Sequence, residues 1–140
     1  MIILDTNIVS EIMRPNPSSK VVAWVAGQAA PNLYLSAVNE AELMYGVEIL
    51  PPGRRRERLR QEVEGMLRED FEGRILPFDS AAAQAYALIA ATRRAAGRPI
   101  NHADCQIAAI ARSREASVAT RDVDDFEGIG ITVINPWVIG

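Results

Sequence analysis

Met1-Ile2-Ile3-Leu4-Asp5-Thr6-Asn7 opens the chain with four apolar residues followed by three polar ones. A short apolar run rich in β-branched residues, without polar alternation, predicts a strand buried on both faces, as in a parallel sheet. Thr6 and Asn7 are each competent to cap a helix over about 8–13, which the Arg14-Pro15-Asn16-Pro17 stretch ends. The same alternation continues outward. Ser18 and Ser19 can cap a helix over about 20–28, and 33–35 reads as a second strand. Ser36 caps a helix reaching about residue 50, with Asn39 and Glu40 in its first turns, and Pro51-Pro52-Gly53 stops it. A charged helix over about 54–70, a third strand over 74–78 and an alanine-rich helix over about 80–96 closed by Gly97 come next. Asn101 or His102 begins a helix to about 114, 117–120 is a fourth strand, 122–126 a turn, and 131–134 the last strand. Strands alternating with helices predict a three-layer α/β/α sandwich around a mostly parallel sheet of about five strands.

The composition sets bounds. A chain of 140 residues with 49% hydrophobic and 24% charged residues is sized for one globular domain, taken as 1–140, and disorder is a poor reading. No apolar run reaches the roughly 18 residues of a membrane span, and the first residues lack the basic and long apolar regions of a secretory signal. The expectation is a cytoplasmic protein without membrane association. A single cysteine, Cys105, excludes an internal disulfide and a multi-cysteine zinc site. A single histidine, His102, makes a Ser-His-Asp arrangement thin. The net charge of −3 disfavours a plain duplex-DNA binder, yet it is compatible with a nuclease, whose carboxylates await a cation.

In open α/β sheets, ligands bind beyond the carboxyl ends of the strands. Asp5 directly follows the first strand, Glu42 is early in the helix after the second, Asp104 is in the first turn of a helix, and Asp122 lies just past the fourth strand. Four carboxylates could thus converge at one edge. Like charges at that range oppose ionisation, and a hard divalent cation relieves them. Such a site, without a catalytic His or Cys, suits metal-assisted phosphodiester hydrolysis better than acyl transfer. Each residue also has a plainer reading: Asp5 and Asp122 as turn or cap residues, Glu42 on a solvated helix face, Asp104 favourably placed at a helix N-terminus.

Several stretches together resemble one family. Leu4-Asp5-Thr6-Asn7 with Ile8-Val9-Ser10-Glu11 resembles the opening motif of PIN-domain proteins. Leu35-Ser36-Ala37 with Glu40-Ala41-Glu42-Leu43 and Gly46 resembles the second acidic motif, Asp104 with Ile107-Ala108-Ala109 the third, and Ala119-Thr120-Arg121-Asp122 with Asp125-Phe126 the fourth. Val133-Ile134-Asn135-Pro136-Trp137 is similar to the close of the toxin subgroup, and the chain looks most like the VapC toxins, in particular the FitB-like branch. The resemblance implies a Mg²⁺-dependent endoribonuclease, with Mn²⁺ as a substitute, that cleaves single-stranded or structured RNA as the toxin of a toxin–antitoxin system. It implies Asp5, Glu42, Asp104 and Asp122 as the metal-binding, catalytic carboxylates, with Asn7, Thr120 and Asp125 as auxiliary groups. It implies a homodimer, and a cognate DNA-binding antitoxin that blocks the site.

Other features carry both plain and functional readings. The arginines at 54, 55, 56, 58 and 60 could contact phosphates, although such a run is more often a solvated helix face. Cys105 reads as a small buried hydrophobe, His102 as a cap, and Trp24 and Trp137 as core or interface anchors. The alanine-rich helix could pack against a second subunit or against its own core. A haloacid-dehalogenase-type phosphatase needs a second Asp where Asn7 stands, and a receiver-like domain needs a phosphoacceptor Asp and a late lysine that are missing here. A catalytically idle PIN-like domain serving as a protein or nucleic-acid binding partner is the remaining alternative.

Overall fold

The computed structural model describes residues 1–139. Five strands form one sheet: β1 (Ile2–Leu4), β2 (Leu33–Ser36), β3 (Ile75–Leu76), β4 (Ser117–Ala119) and β5 (Val133–Ile134). The order is β3-β2-β1-β4-β5, and every pairing is parallel. Six helices surround it: α1 (Thr6–Ile12), α2 (Ser19–Ala26), α3 (Ala37–Glu48), α4 (Arg54–Gly65), α5 (Ser80–Ala95) and α6 (His102–Ser113). This is the expected α/β/α sandwich.

The three layers follow from the two-residue period of a strand. Ile3 and Val118 point to one face, where α5, α6 and Phe126 cover them. Leu4, Leu35 and Ala119 point to the other, against residues of α1, α2, α3 and α4. Within α5, the buried residues Ala82, Ala85, Ile89 and Arg93 recur at three- and four-residue spacing, so small side chains let this helix lie close on its neighbours. Among the described residues, no helix is long and apolar enough to cross a membrane.

Local chemistry sets the boundaries, with some departures from expectation. The first helix begins at Thr6, because Asp5 and not Thr6 or Asn7 caps it: the Asp5 carboxylate accepts the Thr6 backbone N–H at 2.8 Å. Ser36 and Asn39 form a reciprocal capping box at the start of α3. The charged helix after Pro51-Pro52-Gly53 does not run as one regular element. It ends in a single wide, π-type turn at Met66–Asp70, closed by Phe71 N–H to Met66 C=O at 3.2 Å. Val63, Leu67 and Phe71 are buried along this segment, so the wide turn keeps its apolar side on the core. A short 3₁₀ turn at Ala30–Asn32 precedes β2, a feature not foreseen from sequence. Gly97, with φ +71°, takes the left-handed conformation that ends α5.

β1 is central, and it follows a change of direction in the strand order: β2 and β3 build out on one side of it, β4 and β5 on the other. Such a switch opens a crevice at the carboxyl ends of the strands. The register matches Leu4 with Ala119, so Asp5 emerges beside Thr120, and Asp5 N–H donates to Ala119 C=O at 2.9 Å.

Candidate metal centre at the carboxyl end of the sheet

Asp5 sits at the floor of this crevice and is 6% exposed. One carboxylate oxygen accepts the Thr6 N–H, and the other accepts the Thr120 hydroxyl at 2.8 Å. Burial is the main force on this group and raises its pKa from the usual 3.8 to about 6; the Thr120 and Thr6 hydrogen bonds pull the other way, and the charges of Asp104 and Glu42 add to the rise.

Thr120 is a junction. Its hydroxyl donates to Asp5, and its oxygen accepts from Asn7 Nδ2 at 3.2 Å and from the Asp122 backbone N–H at 3.0 Å. Asn7 Nδ2 also reaches Asp122 Oδ2 at 3.2 Å, while its Oδ1 accepts the Arg121 N–H at 3.3 Å. Asp122 is exposed and makes no side-chain cap to the short 3₁₀ turn Val123–Phe126 that follows it, so its carboxylate is not spent as a cap.

The opposite wall comes from α3. Glu42 is exposed, and its Oε1 accepts the Thr6 hydroxyl at 2.8 Å. Thr6 Oγ1 in turn accepts from Asn39 Nδ2 at 3.2 Å, and Asn39 is fully buried in its capping box. Asp104 completes the ring from the first turn of α6. Asn101 caps that helix and grips Asp104 twice: its Oδ1 accepts the Asp104 N–H at 2.8 Å, and its Nδ2 donates to Asp104 Oδ2 at 2.5 Å. Partial burial raises the Asp104 pKa, the Asn101 bond lowers it, and the charges of Asp125, Glu42 and Asp122 raise it further.

All seven residues singled out from sequence therefore lie at one end of the sheet. Asp5, Thr120, Asn7 and Asp122 are joined by hydrogen bonds, and Glu42, Asp104 and Asp125 enter through their mutual fields. Two residues that sequence reasoning did not place among the candidate site residues, Thr6 and Asn39, hold Glu42, Thr6 directly and Asn39 through Thr6. Glu11, which sequence reasoning quoted only as part of the opening motif, is buried in α1; it accepts Ser18 N–H at 2.9 Å and Arg14 at 3.2 Å and so ties α1 to the start of α2, and the Ser18 bond lowers its pKa.

The donor set is all oxygen, anionic and short of neutralising cations, which is the chemistry that a hard divalent ion satisfies. Among the described residues, no three His, Cys, Asp or Glu side chains crowd closely enough to grip one ion directly. An open ring of carboxylates still fits Mg²⁺, which usually keeps several waters and takes one or two carboxylates directly.

A cleft of 310 Å³ leads away from Glu42 and Thr6 between α1, α3 and α4, with Leu43, Leu59 and Val63 on its walls and Arg14 and Arg55 at its rim. The rest of the arginine run is largely a solvated face; Arg60 pairs with Glu48 at 2.7 Å and Glu57 at 2.6 Å. His102 is not a cap: its Nδ1 meets the Tyr86 hydroxyl at 2.6 Å. Cys105 is buried, as expected. Trp24 and Trp137 pack against the α1–α4 core, and the Arg121 guanidinium lies 5.1 Å from the centre of the Trp137 ring.

Comparison with known proteins matches residues 2–131 to the PIN domain. The chain is 42% identical over 137 residues to the VapC ribonuclease Y4jK of Sinorhizobium fredii, covering 98% of each. It is 42% identical over 137 residues to toxin FitB of Neisseria gonorrhoeae, covering 98% of this chain and 99% of that one. The solved structure of FitAB bound to a DNA fragment superposes with a TM-score of 0.95 at 41% identity, covering 100% of this chain and 98% of that chain.

Proposed function

The chain belongs to the PIN-domain family, in the branch of the VapC ribonucleases and toxin FitB, and on that premise we propose that it is a metal-dependent endoribonuclease acting as the toxin of a toxin–antitoxin pair. The observation that carries the reading is the electrostatic one. Asp5, Glu42, Asp104 and Asp122 lie within reach of one another's charge at the carboxyl end of the sheet, and two of them have pKa values raised by burial and by neighbouring carboxylates. A protein keeps such repulsion at a functional site when a ligand relieves it.

Asp5, Glu42, Asp104 and Asp122 would hold Mg²⁺, or Mn²⁺ in its place. When bound, the ion supplies Lewis acidity: it makes water more acidic and offsets the charge that gathers on a phosphate under attack. The chain's own groups do the positioning. Thr120 and the Thr6 N–H fix both oxygens of Asp5 at the floor. Asn7 steadies Asp122, Thr6 steadies Glu42, and Asn101 steadies Asp104. Asp125 stands within electrostatic reach of Asp104, as an auxiliary acid would. Asp122 and Glu42 are exposed at the rim, so an extended phosphodiester strand can approach while Asp5 stays below it.

The partner on this reading is a DNA-binding antitoxin that covers the crevice, and the toxin itself is a homodimer. The first part is supported by the likeness to toxin FitB and to FitAB solved on DNA.

The test is incubation of the purified chain with a mixed single-stranded RNA pool in Mg²⁺, in Mn²⁺ and in EDTA, beside Asp104→Asn. Cleavage should require metal and vanish in the variant, which keeps its circular dichroism. Metal-independent cleavage, or none in any condition, would overturn the nuclease reading; full activity in Asp104→Asn would overturn the site assignment alone.

A further inference from the structure

Arg93 is in the last turn of α5, on the buried stripe of that helix, and is 7% exposed. Among the described residues it takes part in no ion pair. Its acceptors are backbone carbonyls. Nε donates to Arg98 C=O at 2.7 Å, and Nη1 donates to Asp125 C=O at 3.0 Å and Glu127 C=O at 3.3 Å. A buried cation without a counter-ion is costly, so one that persists must have its hydrogens well placed. The planar fork of arginine suits such a task, because it can donate in two directions at once from a rigid group.

The two directions lead to different parts of the crevice. Arg98 lies in the connection from α5 to α6, which ends at Asn101, the residue that grips Asp104 through both its backbone N–H and its carboxylate. Asp125 and Glu127 belong to the turn that starts immediately after Asp122. Phe126, 1% exposed, packs the middle of that turn into the core, and the Arg93 guanidinium holds the carbonyls on either side of it. The remaining bridge between the two segments is exposed: Arg98 reaches Asp124 C=O at 3.4 Å and the Glu127 carboxylate at 3.8 Å, and such surface contacts hold little.

We propose that Arg93 is a positioning residue of the metal centre, a single buried guanidinium that spans the α5–α6 connection and the 122–127 turn and so fixes the spacing between Asp104 and Asp122. This rests on the reading of those two carboxylates as metal-holding groups. Arg93 touches neither substrate nor ion. It acts through the carbonyls that anchor the two segments, as outer partners of metal ligands do, and their loss typically weakens metal binding by about 10- to 100-fold.

The test combines wild type and variants. In the wild type, NMR follows a Mg²⁺ titration: the Arg93 Nε–H should shift along the same binding curve as the Asp104 and Asp122 amides. Movement of those amides with a motionless Arg93 would overturn the inference. Motionless amides would instead overturn the metal reading beneath it. In Arg93→Met, Mn²⁺ affinity should fall by about 10- to 100-fold. Metal-free hydrogen exchange should quicken at 98–101 and 122–127 while β1 and β4 stay protected. Arg93→Lys keeps the charge but has one nitrogen, which cannot span both segments, so it should bind Mn²⁺ almost as weakly. Unchanged affinity in Arg93→Met, full rescue by lysine, or exchange that quickens equally throughout the sheet would each overturn the proposal. Should the variants fail to fold, the wild-type titration decides.

Discussion

Replacing Asp5 by Asn should make the metal-free protein more stable at neutral pH and slightly less stable in acid. Burial, with the charges of Asp104 and Glu42, raises the Asp5 pKa from 3.8 to about 6. The native state therefore binds the Asp5 proton more tightly than the unfolded chain does. Stability that comes from that proton is complete below the unfolded value of 3.8 and is lost as pH rises through the folded value of about 6. At about 1.4 kcal/mol per unit, the ionised carboxylate costs about 3 kcal/mol above that window. Asparagine removes this cost, but it brings one of its own. The Thr120 oxygen already accepts from Asn7 and Asp122 and donates to Asp5, so an amide nitrogen at the Asp5 position leaves the Thr120 hydroxyl proton without its acceptor. That loss is about 1 kcal/mol. The net gain is about 2 kcal/mol near neutrality, which for a domain of this size raises Tm by roughly 6 °C. At about pH 4 the gain should vanish and the small deficit remain. The assay is thermal unfolding of both proteins in EDTA across that pH range. Added Mg²⁺ should then reverse the order, since only a chain that binds the ion gains from it. A Tm difference that does not change with pH, or a variant that is less stable at neutrality, would refute the argument.

Two further substitutions test the scaffold. Asn39→Ala removes a fully buried side chain that accepts from Ser36 N–H and Ser36 Oγ and donates to Thr6; urea unfolding should show a loss of about 2–4 kcal/mol, because buried donors are stranded, and a loss below that of an ordinary exposed cap would contradict the network. Gly46 lies inside α3 with open space where a Cβ would project, so Gly46→Ala should stabilise by about 1 kcal/mol; destabilisation would show that the space is not free.

Much of the frame was legible because it rests on short-range rules. The apolar run at β1, the Ser36 cap and the glycine after α5 each name their element within a few residues. The acidic site was legible from where its residues fall relative to strand ends, and from motif resemblance. What escaped depends on partners far along the chain. Asp5, Thr6 and Asn7 are all good caps, and the register with β4, which sets Asp5 beside Thr120, decides among them. Asn39 is an ordinary member of a capping box until Thr6 is brought to it from α1. Arg93 and Arg94 look alike in sequence, yet only Arg93 continues the Ala82, Ala85, Ile89 stripe. That spacing was the available signal, masked by the general tendency of arginine to be exposed.

The central position of β1 has a consequence for how the protein is made. As synthesis proceeds, β1 finds one neighbour early, in β2, and the other only when residues 117–119 have followed. The carboxylates at 5, 42, 104 and 122 are spread over the same interval. A chain stopped anywhere short of Asp122 has an open sheet edge along β1 or an incomplete ring above it. The crevice is therefore assembled late, once the segment that carries Asp122 has paired beside β1.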